Sequence, residues 1–217
     1  MPVEIVNLAE LPELVARQVG SFLARVHAAE WGHLYRAEVW NVDIARVEFE
    51  EMSAPASVDQ TLLAFDGPRR SLEDLLGSVS LLRSDAVEGW EALGPWLASL
   101  YVVAAARGRG IGAELTDACV GAAAVAGHNY VHLFSPEHEQ YYARRGWRAI
   151  GRVVAEGHDA AVMIKGTSPF AARRSVASSP PSIPSAGHRS HSSGSLLRDQ
   201  RVIPTRDEHP RTTMPFG

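Results

Sequence analysis

The sequence predicts a mixed α/β fold, a single sheet with helices on both faces. Three observations carry that expectation. Apolar runs of strand length are interleaved with helical patterns, a glycine-rich junction joins one such run to an apolar helix, and the patterned region closes on two strand-like runs. Val3 to Leu8 reads as a short strand. Leu11 to about Glu30 reads as a helix, because Leu14, Val15, Val19, Phe22, Leu23 and Val26 recur near helical spacing. Asn41 suits the N-cap of a second helix reaching about Met52. Strands follow at Gln60 to Phe65, Leu75 to Leu82 and Trp96 to Val103, the last of them central. A helix runs from Gly110 to Ala126 and is ended by Gly127. Tyr130 to Phe134 reads as a strand, His138 to Arg145 as a helix, and Trp147 to Val154 with Ala160 to Lys165 as a closing hairpin.

A chain of 217 residues that is 46% apolar can bury a full core. Residues 1–167 are expected to form one domain. Residues 168–217 hold ten serines, seven prolines and seven arginines without a periodic apolar pattern, so they are expected to remain a disordered tail. The tail carries a net charge of +4 and residues 1–167 a net charge of −8. An acidic domain disfavours nucleic acid as a partner and mildly favours a cationic small molecule. No run is long enough to span a bilayer, no basic leader pattern opens the chain, and a cytoplasmic address follows as the expectation. The lone Cys119 falls on the apolar stripe of the Gly110 helix and reads as core. His128 and His132 are four apart, but they straddle a strand start, and no metal site is expected.

The chemistry centres on Arg107-Gly108-Arg109-Gly110-Ile111-Gly112, between a strand and a helix. Glycines at such a junction leave backbone N–H groups bare, and the positive end of the helix dipole stands behind them, so the loop suits a phosphate or pyrophosphate. A Walker A loop is excluded, since the Gly-Lys-Ser/Thr ending is missing and the only lysine is Lys165. Gly108-x-Gly110-x-x-Ala113 matches a dinucleotide fingerprint, yet no acidic residue follows at the end of a strand at the required distance. A second motif lies downstream, Tyr141-Tyr142-Ala143-Arg144-Arg145-Gly146-Trp147, with room for one helix and one strand between the two.

Together, Arg107-x-x-Gly110-x-Gly112 and the Tyr141-Tyr142-x-x-x-Gly146-Trp147 run resemble the cofactor loop and the F-Y-x-x-x-G-F signature of the GNAT family of N-acetyltransferases. The order of elements from Val3 to Gly166 is also that expected of the family, and the resemblance is specific from about Trp96 to Trp147. It implies a sheet whose central strand is splayed from its neighbour, with acetyl-CoA as co-substrate. It also implies acetyl transfer to a primary amine, on a small molecule or a protein N-terminus, by direct attack in a ternary complex. The cofactor contacts it implies are Arg107, Arg109, Gly110, Ile111, Gly112 and Ala113 at the pyrophosphate, with the main chain of Leu100 and Val102 at the pantetheine arm. Tyr142 matches the tyrosine that protonates the leaving thiolate, which leaves core packing to Tyr141.

The chain departs from the family in three places. Ala98, followed by Ser99, stands where many members carry a glutamate base, Ala104-Ala105-Ala106 precedes the loop, and Ser135-Pro136-Glu137-His138 replaces the usual asparagine. Deprotonation would then pass through water or through a group on the acceptor side: Glu30, His33, Asp85, Glu88 or Glu91. Glu30 could hold the cation of an amine, and Trp31, Tyr35 and Trp96 could wall its pocket. The missing glutamate keeps open a non-catalytic coenzyme-A-binding module or sensor, and the Gly108 fingerprint a nicotinamide-dinucleotide-binding protein.

Overall fold

The computed structural model describes residues 2–32, 40–54, 57–85, 87, 89–155 and 157–167. The expectations placed on His33, Tyr35, Glu88 and the segment 168–217 lie outside them. The chain runs β1 (Val3–Asn7), α1 (Glu13–Trp31), α2 (Val42–Met52), β2 (Gln60–Asp66), β3 (Leu75–Leu82) and β4 (Trp96–Val102). It continues through α3 (Ile111–Val125), β5 (Tyr130–Ser135), α4 (Glu139–Ala143), β6 (Arg148–Ala155) and β7 (His158–Gly166). This is the expected order. The two helices read as starting at Leu11 and His138 begin later, at Glu13 after Pro12 and at Glu139.

Local chemistry explains the boundaries. Asn41 caps α2, its Oδ1 accepting the N–H groups of Asp43 at 2.9 Å and Ile44 at 3.1 Å. At the far end of the fold the Thr167 N–H donates to the Asn129 carbonyl at 3.0 Å, and its hydroxyl donates to that of His128 at 2.6 Å. These bonds pin the end of β7 beside the start of β5.

The seven strands form one sheet in the order β1-β2-β3-β4-β5-β7-β6. All neighbours are antiparallel except β4 and β5, which are parallel and register at a single position, Trp96 opposite His132. There the His132 N–H donates to the Pro95 carbonyl at 2.9 Å, and the pairing goes no further. The central strand is thus splayed from its neighbour. The last strand, β7, inserts between β5 and β6.

Strand alternation divides the core between the two faces. Leu62, Ala64, Val79, Leu97, Val131 and Leu133 face α3, meeting Ile111, Leu115, Cys119 and Ala123. Leu63, Phe65 and Leu75 face the other way, against Val19, Leu23 and Phe49 of α1 and α2. Trp96 and Val162 alternate with Leu97 and Ala161, so they lie on that second face beyond the β4–β5 gap, packed with Val87, Val153 and Ala160.

Candidate active site

The Arg107 loop enters α3 through Gly110, whose φ of +88° is a left-handed conformation that glycine adopts without steric cost. No side chain caps the helix. The Ala113 N–H already donates to the Gly110 carbonyl at 2.9 Å, as does that of Glu114 at 3.2 Å. The expectation that Ala113 holds the cofactor by its amide is corrected here, because that donor closes the first turn. The amides of Ile111 and Gly112 lie ahead of that first bond, at the positive end of the dipole.

The two arginines do not stand open as bare positive charge. Arg107 Nη2 lies 3.1 Å from Glu30 Oε1, and Arg109 Nη2 lies 3.9 Å from Asp66 Oδ2 at the end of β2. The loop therefore presents main-chain amides at a helix start, flanked by guanidiniums that carboxylates from other elements hold.

β4 supplies a second donor set. Against β3, Ser78 pairs with Tyr101 and Ser80 with Ala98, so the interval holds one more residue on β4 than on β3. The extra residue makes a bulge, and Ser99 takes a φ of +53° there. A non-glycine residue held at positive φ costs free energy and marks places where the chain is aimed for a purpose. The Val103 N–H donates to the Leu76 carbonyl at 2.9 Å on the β3 side, so alternation turns the peptide groups of Val102 and Leu100 toward the splayed edge. The Val102 carbonyl accepts from Arg107 Nε at 3.0 Å.

Of the tyrosine pair, Tyr142 lies the deeper and Tyr141 packs against the rim of the core. Tyr142 is 7% exposed, packed edge-on against Trp147 and Tyr141 with ring centroids 5.9 and 5.1 Å away. Burial, then the neighbouring Tyr141 and Cys119, push its phenol well above the usual tyrosine pKa. Tyr141, expected to be packing, is half-buried under the Arg145 guanidinium, 3.9 Å from its ring. Its hydroxyl stands 3.1 Å from where a Cβ on Gly112 would be, so the loop's last glycine leaves room for it.

On the α1 side of the sheet His27 is 1% exposed. Its ring lies 4.7 Å from Trp31, 5.3 Å from Phe49 and 5.9 Å from Tyr101, and its Nε2 is 3.4 Å from the Ser78 hydroxyl. Trp31 and Tyr101 remain half-buried and form an aromatic cluster with His27. Trp96 does not join it. Only 1% exposed, with its indole N–H donating to the Leu93 carbonyl at 2.8 Å, it is core, and the expectation of a pocket wall there is corrected. Glu91 accepts the N–H of Gly89 at 2.9 Å and stabilises its own turn. Cys119 is buried, its thiol pushed up to about 12 by desolvation, which leaves it no nucleophilic character at neutral pH. Among the described residues, no three of His, Cys, Asp and Glu stand close enough to hold a metal.

Sequence reasoning missed His27, Tyr101 and the Ser99 bulge. His27 falls on the helical stripe with Leu23 and could have been read as core. The bulge had no sequence signal, since serine does not announce positive φ.

An acetyltransferase (GNAT) domain model matches residues 37–165. No curated protein matches the chain significantly. Solved structures do, in fold. A GNAT-family acetyltransferase from Staphylococcus aureus Mu50 is 16% identical, with 77% of this chain and 100% of that chain covered at a TM-score of 0.53. An aminoglycoside 6'-N-acetyltransferase complexed with coenzyme A is 17% identical, covering 78% and 98% at 0.53. Variants of the spermidine/spermine N-acetyltransferase of Vibrio cholerae are 14% identical, covering 79% and 99% at 0.52.

Proposed function

The chain belongs to the GNAT family of acetyltransferases, and from that premise we propose that it moves the acetyl group of acetyl-CoA to a primary amine by direct attack in a ternary complex. The observation that carries this reading is the pairing of the amide cradle at Gly110 with the unpaired edge of β4 across the splay from β5. The amides of Gly110, Ile111 and Gly112 would take the pyrophosphate, and the peptide groups of Leu100 and Val102 would hold the pantetheine arm. The cofactor supplies an activated thioester. What the chain supplies is position and charge: the β4 edge orients the carbonyl, and a main-chain N–H at the Ser99 bulge stabilises charge growing on its oxygen. With alanine at position 98, no carboxylate of β4 takes the amine's proton, which leaves through water.

Tyr142 would return a proton to the departing thiolate. Its raised pKa keeps the phenol protonated through the working range, so no descending limb of the pH–rate profile below about pH 10 belongs to it. Tyr142→Phe should lower kcat by about 10²-fold or more while the dissociation constant of coenzyme A stays within about twofold. The hydroxyl of Tyr141 beside Gly112 favours a second assignment. If Tyr141→Phe abolishes turnover and Tyr142→Phe does not, the acid is Tyr141. The acceptor would lie on the opposite face of the gap, against Trp31 and Tyr101, and a small-molecule amine fits an aromatic cluster on an acidic domain.

Thermal unfolding with acetyl-CoA, coenzyme A, NAD, NADP and ATP in parallel tests the cofactor. A ligand at 100 times its dissociation constant adds about 2.7 kcal/mol, several degrees for a domain of this size. Shifts with acetyl-CoA and coenzyme A alone support the reading. A shift with NAD or NADP alone overturns it. Binding of coenzyme A without acetyl transfer to any amine in a broad screen would leave the non-catalytic module.

A further inference from the structure

Arg107 makes two contacts within the protein, one to a main-chain carbonyl and one to a carboxylate. Its Nε donates to the Val102 carbonyl at 3.0 Å, and its Nη2 donates to Glu30 Oε1 at 3.1 Å. The first occupies an acceptor on the open edge of β4, the edge assigned above to the pantetheine arm. The second holds a carboxylate in the last turn of α1, one residue before Trp31. One guanidinium thus connects the cofactor edge with the acceptor side.

The pair is built to be exchanged. The two side chains keep 54% and 44% of their exposure, and an ion pair in that much solvent is weak. A pyrophosphate in the Gly110 loop brings two charges to the neighbourhood of the same guanidinium, and arginine binds phosphate oxygens in a bidentate geometry stronger than an exposed carboxylate contact. A pantetheine amide pairing with Val102 would compete for the carbonyl that Arg107 Nε now holds. Both effects draw Arg107 away from Glu30.

We propose that Arg107 and Glu30 form an exchange switch coupling the two substrates: coenzyme A takes Arg107, and the released Glu30 carboxylate binds an ammonium of the acceptor. The attacking nitrogen must be neutral to use its lone pair, so the charge that Glu30 reads is a second one. The acceptor class is therefore a diamine or larger polycation, which the net charge of −8 on residues 1–167 attracts at long range. Glu30 is a specificity-determining residue that comes into use after the cofactor is in place. The inference rests on the acetyltransferase reading.

Calorimetric titration of the full chain with coenzyme A, for the parent protein and Glu30→Gln, with and without saturating 1,3-diaminopropane, tests it. In the parent protein the diamine should tighten coenzyme A several-fold, by the reciprocity of linked binding, and butylamine should not. Glu30→Gln, with no carboxylate competing for Arg107, should bind coenzyme A alone up to about fivefold more tightly, about 1 kcal/mol at 1.4 kcal/mol per tenfold. The diamine should then have no effect. Equal or weaker binding of coenzyme A by Glu30→Gln would overturn the switch and make the pair a plain strut. So would a diamine effect that survives the substitution, or one missing from the parent protein. A parent protein that does not bind coenzyme A overturns the acetyltransferase reading itself, a result distinct from all of these.

Discussion

His27 shows what the interior does to a single titratable residue. Enclosed by Trp31, Phe49 and Tyr101, it has its pKa lowered by desolvation to about 3 from a usual 6.5. The folded protein therefore keeps this imidazole neutral where the unfolded chain would protonate it. Between pH 6.5 and 3 the unfolded state binds more protons than the native state, so stability rises with pH across that window and is fully present above it. Stability should fall by about 2 kcal/mol between pH 6.5 and pH 5, at 1.36 kcal/mol per unit. Urea unfolding at a series of pH values measures this, and His27→Gln should remove most of the slope. The buried His132, lowered in the same direction, contributes the remainder. An unchanged slope in that variant would show that His27 is not the group responsible. Among single residues, Gly110 was legible as the glycine that turns the chain into α3, because the strand-to-helix junction needs one there. The depth of Tyr142 and the hydroxyl position of Tyr141 were not, since two adjacent tyrosines on a short helix differ only in which way each projects.

At the scale of elements, α2 owes its start to one side chain. Asn41 accepts two N–H groups that would otherwise face water or stay unpaired, and loss of such a cap costs about 1 kcal/mol. Asn41→Ala should lower the urea midpoint accordingly while coenzyme A affinity stays the same, because α2 lies on the face away from the cradle. A change in affinity would mean that α2 positions the site. The strands and helices were readable in order and nearly in extent, because each carries its own period: β3 runs from Leu75 to Leu82 as the alternation and apolar run predict. The bulge at Ser99 was not readable. It arises from the register of β4 against β3, and a register belongs to two strands at once.

At the scale of the molecule, the last bonds of the described fold are those of Thr167 to Asn129 and His128. A chain ending at Thr167 should then keep its melting temperature within about 2 °C of the full chain, whereas ending it at Met163 would strip β7 of its pairing with Tyr130 and Val131 and lower stability severely. Calorimetry of the shortened chains decides, and a large loss on ending at Thr167 would show that residues 168–217 contribute to the fold.

By itself the sequence determined which segments become strands and helices, where phosphate-binding amides would be bare, and to which family the chain is similar. These rest on local periods, caps and glycine spacing, which act over a few neighbouring residues. Only the tertiary structure decided that β7 lies between β5 and β6, that Trp96 is core and that Trp31 stays half-buried. It also decided that Arg107 meets Glu30 across 77 positions of chain. Such contacts are set by the packing of elements distant in sequence, and no local pattern encodes the partner that a side chain finds when two such elements meet.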